Sequence, residues 1–204
     1  MHISWLGNTA LKIQTKPFDK DITIVIDAYK QKKGSFPRSL TPDIALYTRG
    51  EEDVITLSGD PFVFSTPGEV DTKGVLVTSV EGHEPGEIML RIDTEDMTLV
   101  HLGMIKKQLT AKQLEVLSGA DILCLPVGNV DSFDSESAVK LVNEIEPRVV
   151  IPYAFNSDND PDAKVVESFL KEIGSKNNTP EKKVILKEKD LPEEDTLVVV
   201  LEKE

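Results

Sequence analysis

The sequence predicts a mixed α/β (α+β) fold in which two β-sheets pack face to face with helices outside. Three observations predict it. The first half is nearly all strand-like, the second half carries a βαβ unit, and a strand-like run returns at the end of the chain. Periodicity alone also allows a generic α+β domain.

Residues 2–8 and 10–14 read as two short strands joined at Gly7-Asn8, a hairpin signal, and 22–26 as a third closed by Asp27. Residues 30–42 carry Lys, Gly, Ser and two prolines with little periodicity, which marks a surface loop. Residues 44–47 form a buried strand that leads through Thr48, Arg49 and Gly50 into the acidic Glu51-Glu52-Asp53. A strand ending in a loop dense with ionisable residues is where α/β proteins place chemistry. Residues 61–65 and 74–80 are β-rich runs separated by a turn at Pro67-Gly68-Glu69. Strands at 88–92 and 98–102 follow, with residues 93–96 turning between them.

The character then changes. Thr110 and Gln113 have capping-box spacing at the start of a short helix that stops at Gly119. Residues 121–126 read as a buried strand. Asp134 caps a helix with Ala138, Leu141, Val142 and Ile145 on one face, Pro147 ends it, and 149–151 returns as a strand. The two strands should be parallel and their crossover right-handed. Asp160-Pro161 should open a last helix with Val165, Val166, Phe169, Leu170 and Ile173 on its face, stopped by Gly174. Residues 175–183 read as a loop, and 184–186 and 197–201 close a sheet. No linker interrupts the pattern, so residues 1–204 are expected to form a single domain.

Composition narrows the function classes. Hydrophobic residues at 39% and charged residues at 29% are ordinary for a soluble globular chain. No run approaches a membrane span and no signal peptide precedes the first strand, so no membrane contact is expected. One cysteine, Cys124, excludes an internal disulfide and fits a cytoplasmic location. A net charge of −13 argues against nucleic acid. The one basic cluster, Lys30 to Lys33 with Arg38, reads as a solvated loop.

Several motifs resemble the metallo-β-lactamase fold superfamily of Zn-dependent hydrolases. Trp5-Leu6-Gly7-Asn8-Thr9 and Val25-Ile26-Asp27 are similar to its opening marks, with Asn8 where many members carry histidine and Ala28 where they carry proline. Pro67-Gly68-Glu69 with Lys73-Gly74-Val75, Leu125-Pro-Val-Gly128 and residues 146–152 also resemble it. Where the family has Thr-His-x-His-x-Asp-His, this chain has Thr48-Arg49-Gly50-Glu51-Glu52-Asp53-Val54. The resemblance implies a four-layer αββα sandwich. It also implies a two-metal site whose first metal would face Arg49, Glu51 and His83 and whose second would face Asp53, Val54 and Ala154, bridged at Met104.

Those residues depart from what the chemistry needs, a dense cluster of imidazoles and carboxylates that activates a bridging water. Arg49 is a fixed cation at a ligand position, and it is expected to pair with Glu51 or Asp53 in place of the lost metal charge. The chain is therefore expected to be a divergent member that has lost the dimetal site. It would bind a protein or small-molecule ligand without catalysis, with no cofactor, and is not an enzyme on this expectation. One alternative is a hydrolase of phosphoester or lactone substrates. It would use a reduced mononuclear zinc site, or acid–base chemistry, at Glu51, Asp53 and His83. Another is an assembly subunit, alone or as a homo-oligomer, with the cleft packed shut by Val54, Met104 and Ala154. Cys124 reads as a small buried hydrophobe, His101 as a satisfied core or rim histidine, His2 as surface, and Ser132, Ser135 and Ser137 as helix-start residues. Gly103, Gly128 and Asn129 could line the cleft mouth without phosphate-loop spacing.

Overall fold

A computed structural model describes residues 1–175 and 179–204; part of the expected 175–183 loop, residues 176–178, lies outside the described residues. In chain order the strands begin with β1 (His2–Gly7), β2 (Ala10–Thr15), β3 (Ile22–Ile26), β4 (Ile44–Leu46) and β5 (Phe62–Phe64). There follow β6 (Gly68–Thr72), β7 (Val75–Glu81), β8 (Ile88–Thr94) and β9 (Met97–His101). The second half alternates: α1 (Ala111–Leu117), β10 (Ile122–Pro126), α2 (Ser135–Ile145), β11 (Val149–Tyr153), α3 (Glu167–Glu172), β12 (Val184–Ile185) and β13 (Leu197–Val198).

These strands build two stacked sheets. One runs β12-β1-β2-β3-β4-β5 and the other β13-β11-β10-β9-β8-β7-β6. The alternation of the early strands explains the packing: Ile3, Leu11, Ile13, Ile24, Ile26, Ile44 and Leu46 join Val77, Leu90, Ile92 and Leu99 in one core cluster. On the other side of the first sheet, Leu6, Val25, Ala45 and Tyr47 are covered by Tyr29, Leu40, Val54, Ile55 and Leu57. The outer layer there is loop, and the helices follow the strands of the second sheet. β3 and β4 are parallel, as are β9, β10 and β11, so the carboxyl ends of these strands share a direction within each sheet.

Local chemistry sets the helices as expected. Thr110 and Gln113 exchange both capping-box bonds at the start of α1. Asp134 accepts from the Ser137 N–H at the start of α2, which buries Ala138, Leu141, Val142 and Ile145. Among the described residues no helix is long and apolar enough to cross a membrane.

Two expectations are corrected. Gly68-Glu69 does not turn the chain but begins β6, which pairs with β7. This is an edge strand with solvent on most of its side chains, so it lacks the apolar alternation that reveals a buried strand. The last helix starts at Glu167 rather than at Asp160-Pro161, and Val165 is 54% exposed. Residues 156–164 are held in loop form by their own polar groups. Asn156 Nδ2 donates to the Pro161 carbonyl, Asp158 accepts from the Ser35 N–H, and the Lys164 N–H donates to the Gly128 carbonyl.

Candidate functional site

Asp27 follows the last residue of β3, has a left-handed φ of 55° and is 1% exposed. Its carboxylate accepts the Thr48 N–H and the Thr48 hydroxyl, both at 2.7 Å, and so fixes the end of β4 beside the end of β3. Gly103, after β9, lies against the same threonine: a Cβ there would sit 3.0 Å from Thr48 Cβ. Tyr153 at the end of β11 donates its hydroxyl to the Gly103 carbonyl at 2.6 Å. The two sheets thus meet at the carboxyl ends of β4, β9 and β11.

His101 holds this junction from inside the core. Its Nδ1 accepts the Gly103 N–H at 3.2 Å, so Nε2 carries the proton and donates to the Thr9 carbonyl at 2.9 Å. The ring stacks on Tyr153 with centroids 4.8 Å apart. Burial pushes the His101 pKa down, against the pull of Asp27 and the Thr9 bond. The imidazole is neutral and structural, as the sequence suggests. Burial likewise raises the Cys124 thiol far above its usual range, so it is an inert core residue.

Arg49 leaves this junction toward solvent. Its backbone N–H donates to Tyr29 Oη at 2.8 Å, and Tyr29 donates on to the Gly50 carbonyl at 3.0 Å. The guanidinium lies over the Tyr29 ring, 4.6 Å from the centroid. Burial, and then the Asp27 charge, keep the Tyr29 phenol protonated. The expected pairing with Glu51 or Asp53 is not made; among the described residues Arg49 has no ion pair. Glu51 instead accepts from Ser65 Oγ at 2.7 Å, and Asp53 is an exposed residue with a φ of 57°.

A cavity of about 360 Å³ opens beside Arg49. His83, Met104, Lys106 and Lys107 line it with Glu84, Glu87 and Asp131. His83 Nε2 is 3.2 Å from the Lys107 carbonyl. Lys107 pairs with Glu84 and Lys106 with Asp131, each at 2.8 Å. The Lys107 bond holds the Glu84 carboxyl below its ordinary range, and Asp131 raises Lys106.

The structure therefore brings together Arg49, His83 and Met104 of the expected positions and leaves the others apart. Glu51 and Asp53 do not line the cavity. Val54 packs over the outer face of the first sheet against Tyr29. Ala154 is fully buried at a φ of 58°, its N–H on the Asn8 carbonyl. Among the described residues no three His, Cys, Asp or Glu side chains come together as a metal site, so the expected reduced site at Glu51, Asp53 and His83 is not assembled. Of the three residues expected to pack the cleft shut, Met104 lines the open cavity while Val54 and Ala154 are packed elsewhere. Sequence reasoning missed Tyr29, Lys106 and Lys107. Their nearness to Asp27 and Met104, both singled out, was the available signal.

The sequence profile of the β-lactamase superfamily domain matches residues 2–154. A UPF0173 metal-dependent hydrolase of Methanopyrus kandleri is 22% identical over 85% of this chain and 91% of its own. Another, from Staphylothermus marinus, is 30% identical over 71% of this chain and 61% of its own. Among solved structures, a candidate Zn-dependent hydrolase of the metallo-β-lactamase superfamily from Thermotoga maritima superposes with a TM-score of 0.80 at 23% identity, covering 98% of both chains. A metallo hydrolase of Ignicoccus hospitalis gives 0.66 at 14% identity, over 91% of this chain and 99% of its own. The structural likenesses establish the two-sheet sandwich. Both sequence relatives bear the name of metal-dependent hydrolases, which overturns the expectation of a non-catalytic binding protein.

Proposed function

This chain belongs to the β-lactamase superfamily domain family, and from that premise we propose that it is a hydrolase whose ester substrate enters the cavity beside Arg49. The convergence of Arg49, His83 and Met104 on one open cavity at the carboxyl ends of β4 and β9 carries this reading. Phosphoesters and lactones are the substrate types it addresses.

The names of the relatives attach a metal to that activity. The donor set of this chain does not fit one: among the described residues no three His, Cys, Asp or Glu side chains come together, the positions the resemblance implies as ligands hold Arg49, Met104, Val54 and Ala154, and Glu51 and Asp53 do not line the cavity. Acid–base and electrostatic chemistry is what the lining residues offer. With Nε2–H donating to the Lys107 carbonyl, His83 keeps Nδ1 as an acceptor for the proton of an attacking water. The Arg49 guanidinium on the same wall offsets negative charge that develops on the ester oxygen. The lone cysteine, buried and unreactive, agrees with a cytoplasmic enzyme.

A panel of chromogenic phosphoesters and lactones tests the proposal on the wild-type chain and His83→Gln. We expect turnover on at least one, reduced about 100-fold in His83→Gln. No turnover on the panel, or equal turnover by both proteins, would contradict it.

A further inference from the structure

We propose that Arg49, braced on Tyr29, is the docking point for a phosphate-type oxyanion of the substrate in the cavity that it lines. The inference rests on the cavity reading above and specifies its ligand chemistry. Three observations carry it.

First, the guanidinium is preorganised. The Arg49 backbone N–H is tied to Tyr29 Oη and its guanidinium carbon lies 4.6 Å from the Tyr29 ring centroid, so less rotamer freedom is lost when it meets a ligand. Tyr29 remains a neutral phenol and leaves the cation uncompensated.

Second, among the described residues Arg49 makes no ion pair, although Glu84, Glu87 and Asp131 line the same cavity, in a chain whose net charge is −13. Arg91 and Arg148, by contrast, pair with Asp93 and Asp121. An exposed guanidinium facing a cavity with its five donors uncommitted to carboxylate repels a metal cation and matches the oxygens of phosphate.

Third, further positive charge can be recruited. Lys106 and Lys107 line the same cavity, each held by one carboxylate in a pair whose side chains are more than half exposed. Such pairs are weak, so an entering dianion can draw the ammonium groups away from Asp131 and Glu84. A single carboxylate ligand would need Arg49 alone; the two lysines favour a group with more oxygens and more charge.

Titration calorimetry with inorganic phosphate at low, matched ionic strength tests this on the full chain. Wild type should bind phosphate. Arg49→Ala should weaken binding at least tenfold and Arg49→Lys should recover part of it. Tyr29→Leu should weaken it through loss of the brace, and Glu84→Gln should strengthen it by freeing Lys107. Circular dichroism and thermal melts identify any variant that fails to fold; Arg49 is exposed, and its variants should melt like wild type. Phosphate affinity unchanged in Arg49→Ala overturns the proposal, even if the ester panel shows turnover that His83→Gln abolishes. Affinity lost in Arg49→Ala while the whole ester panel stays silent sustains the oxyanion site and removes the hydrolase reading instead.

Discussion

Thr48 gives both its backbone N–H and its hydroxyl to the carboxylate of Asp27, at 2.7 Å each, and this pair sets where the Arg49 turn begins. The carboxylate is buried, so removing either partner strands polar atoms that water cannot reach. Asp27→Ala should cost about 3 kcal/mol of folding stability, and Thr48→Val about 1–2 kcal/mol. Urea denaturation of both variants measures this, with the aspartate variant expected to be the worse of the two.

Gly103 lies on the other wall of the same junction. Its φ of 66° is unfavourable to a side chain, and a Cβ would press on Thr48 Cβ and Oγ1 at 3.0 Å. Gly103→Ala should lose about 2 kcal/mol from strain. It should also loosen the Tyr153 hydroxyl bond to the Gly103 carbonyl, visible as faster amide exchange in residues 101–105.

Ala154 occupies a left-handed conformation, φ 58°, without the freedom of glycine. Ala154→Gly should raise stability by about 1 kcal/mol in thermal unfolding. Ala154→His, which would restore a typical ligand type, should instead destabilise the chain. The side chain there is fully buried, with no room for an imidazole in place of a methyl group.

His101 predicts a pH dependence. Burial depresses its folded-state pKa below the ordinary 6.5, so below that pH the unfolded chain binds a proton that the folded chain refuses. Stability should be full above pH 6.5 and fall as pH drops below it, by about 1.4 kcal/mol per pH unit until the folded form also protonates. His101→Gln should flatten that slope between pH 6.5 and 5.5. An unchanged slope would mean that His101 protonates without cost in the fold.

The legible part of this chain was the part written in apolar periodicity and capping residues. The inner faces of β1 to β4, the face of α2 and the Thr110 capping box all stand where the residues place them. β6 escaped because an edge strand in solvent carries no alternation, and residues 156–164 escaped because their amides and carboxylates bond to the backbone and to Ser35. At the site, the sequence marked Arg49, His83 and Met104 by position, and the fold brings them to one cavity. It could not show that Arg49 would turn to Tyr29 rather than to Glu51 or Asp53. That choice goes with the buried Tyr29 ring after β3 and with the bond that Glu51 accepts from Ser65.

In the proposed reaction a guanidinium, not a metal, carries the positive charge at the end of β4. The most direct test is ester turnover by protein dialysed against chelator and then reloaded with Zn²⁺. Turnover should survive chelation, be unchanged by zinc and be lost in Arg49→Ala. Turnover abolished by chelator and restored by one zinc per chain would contradict it.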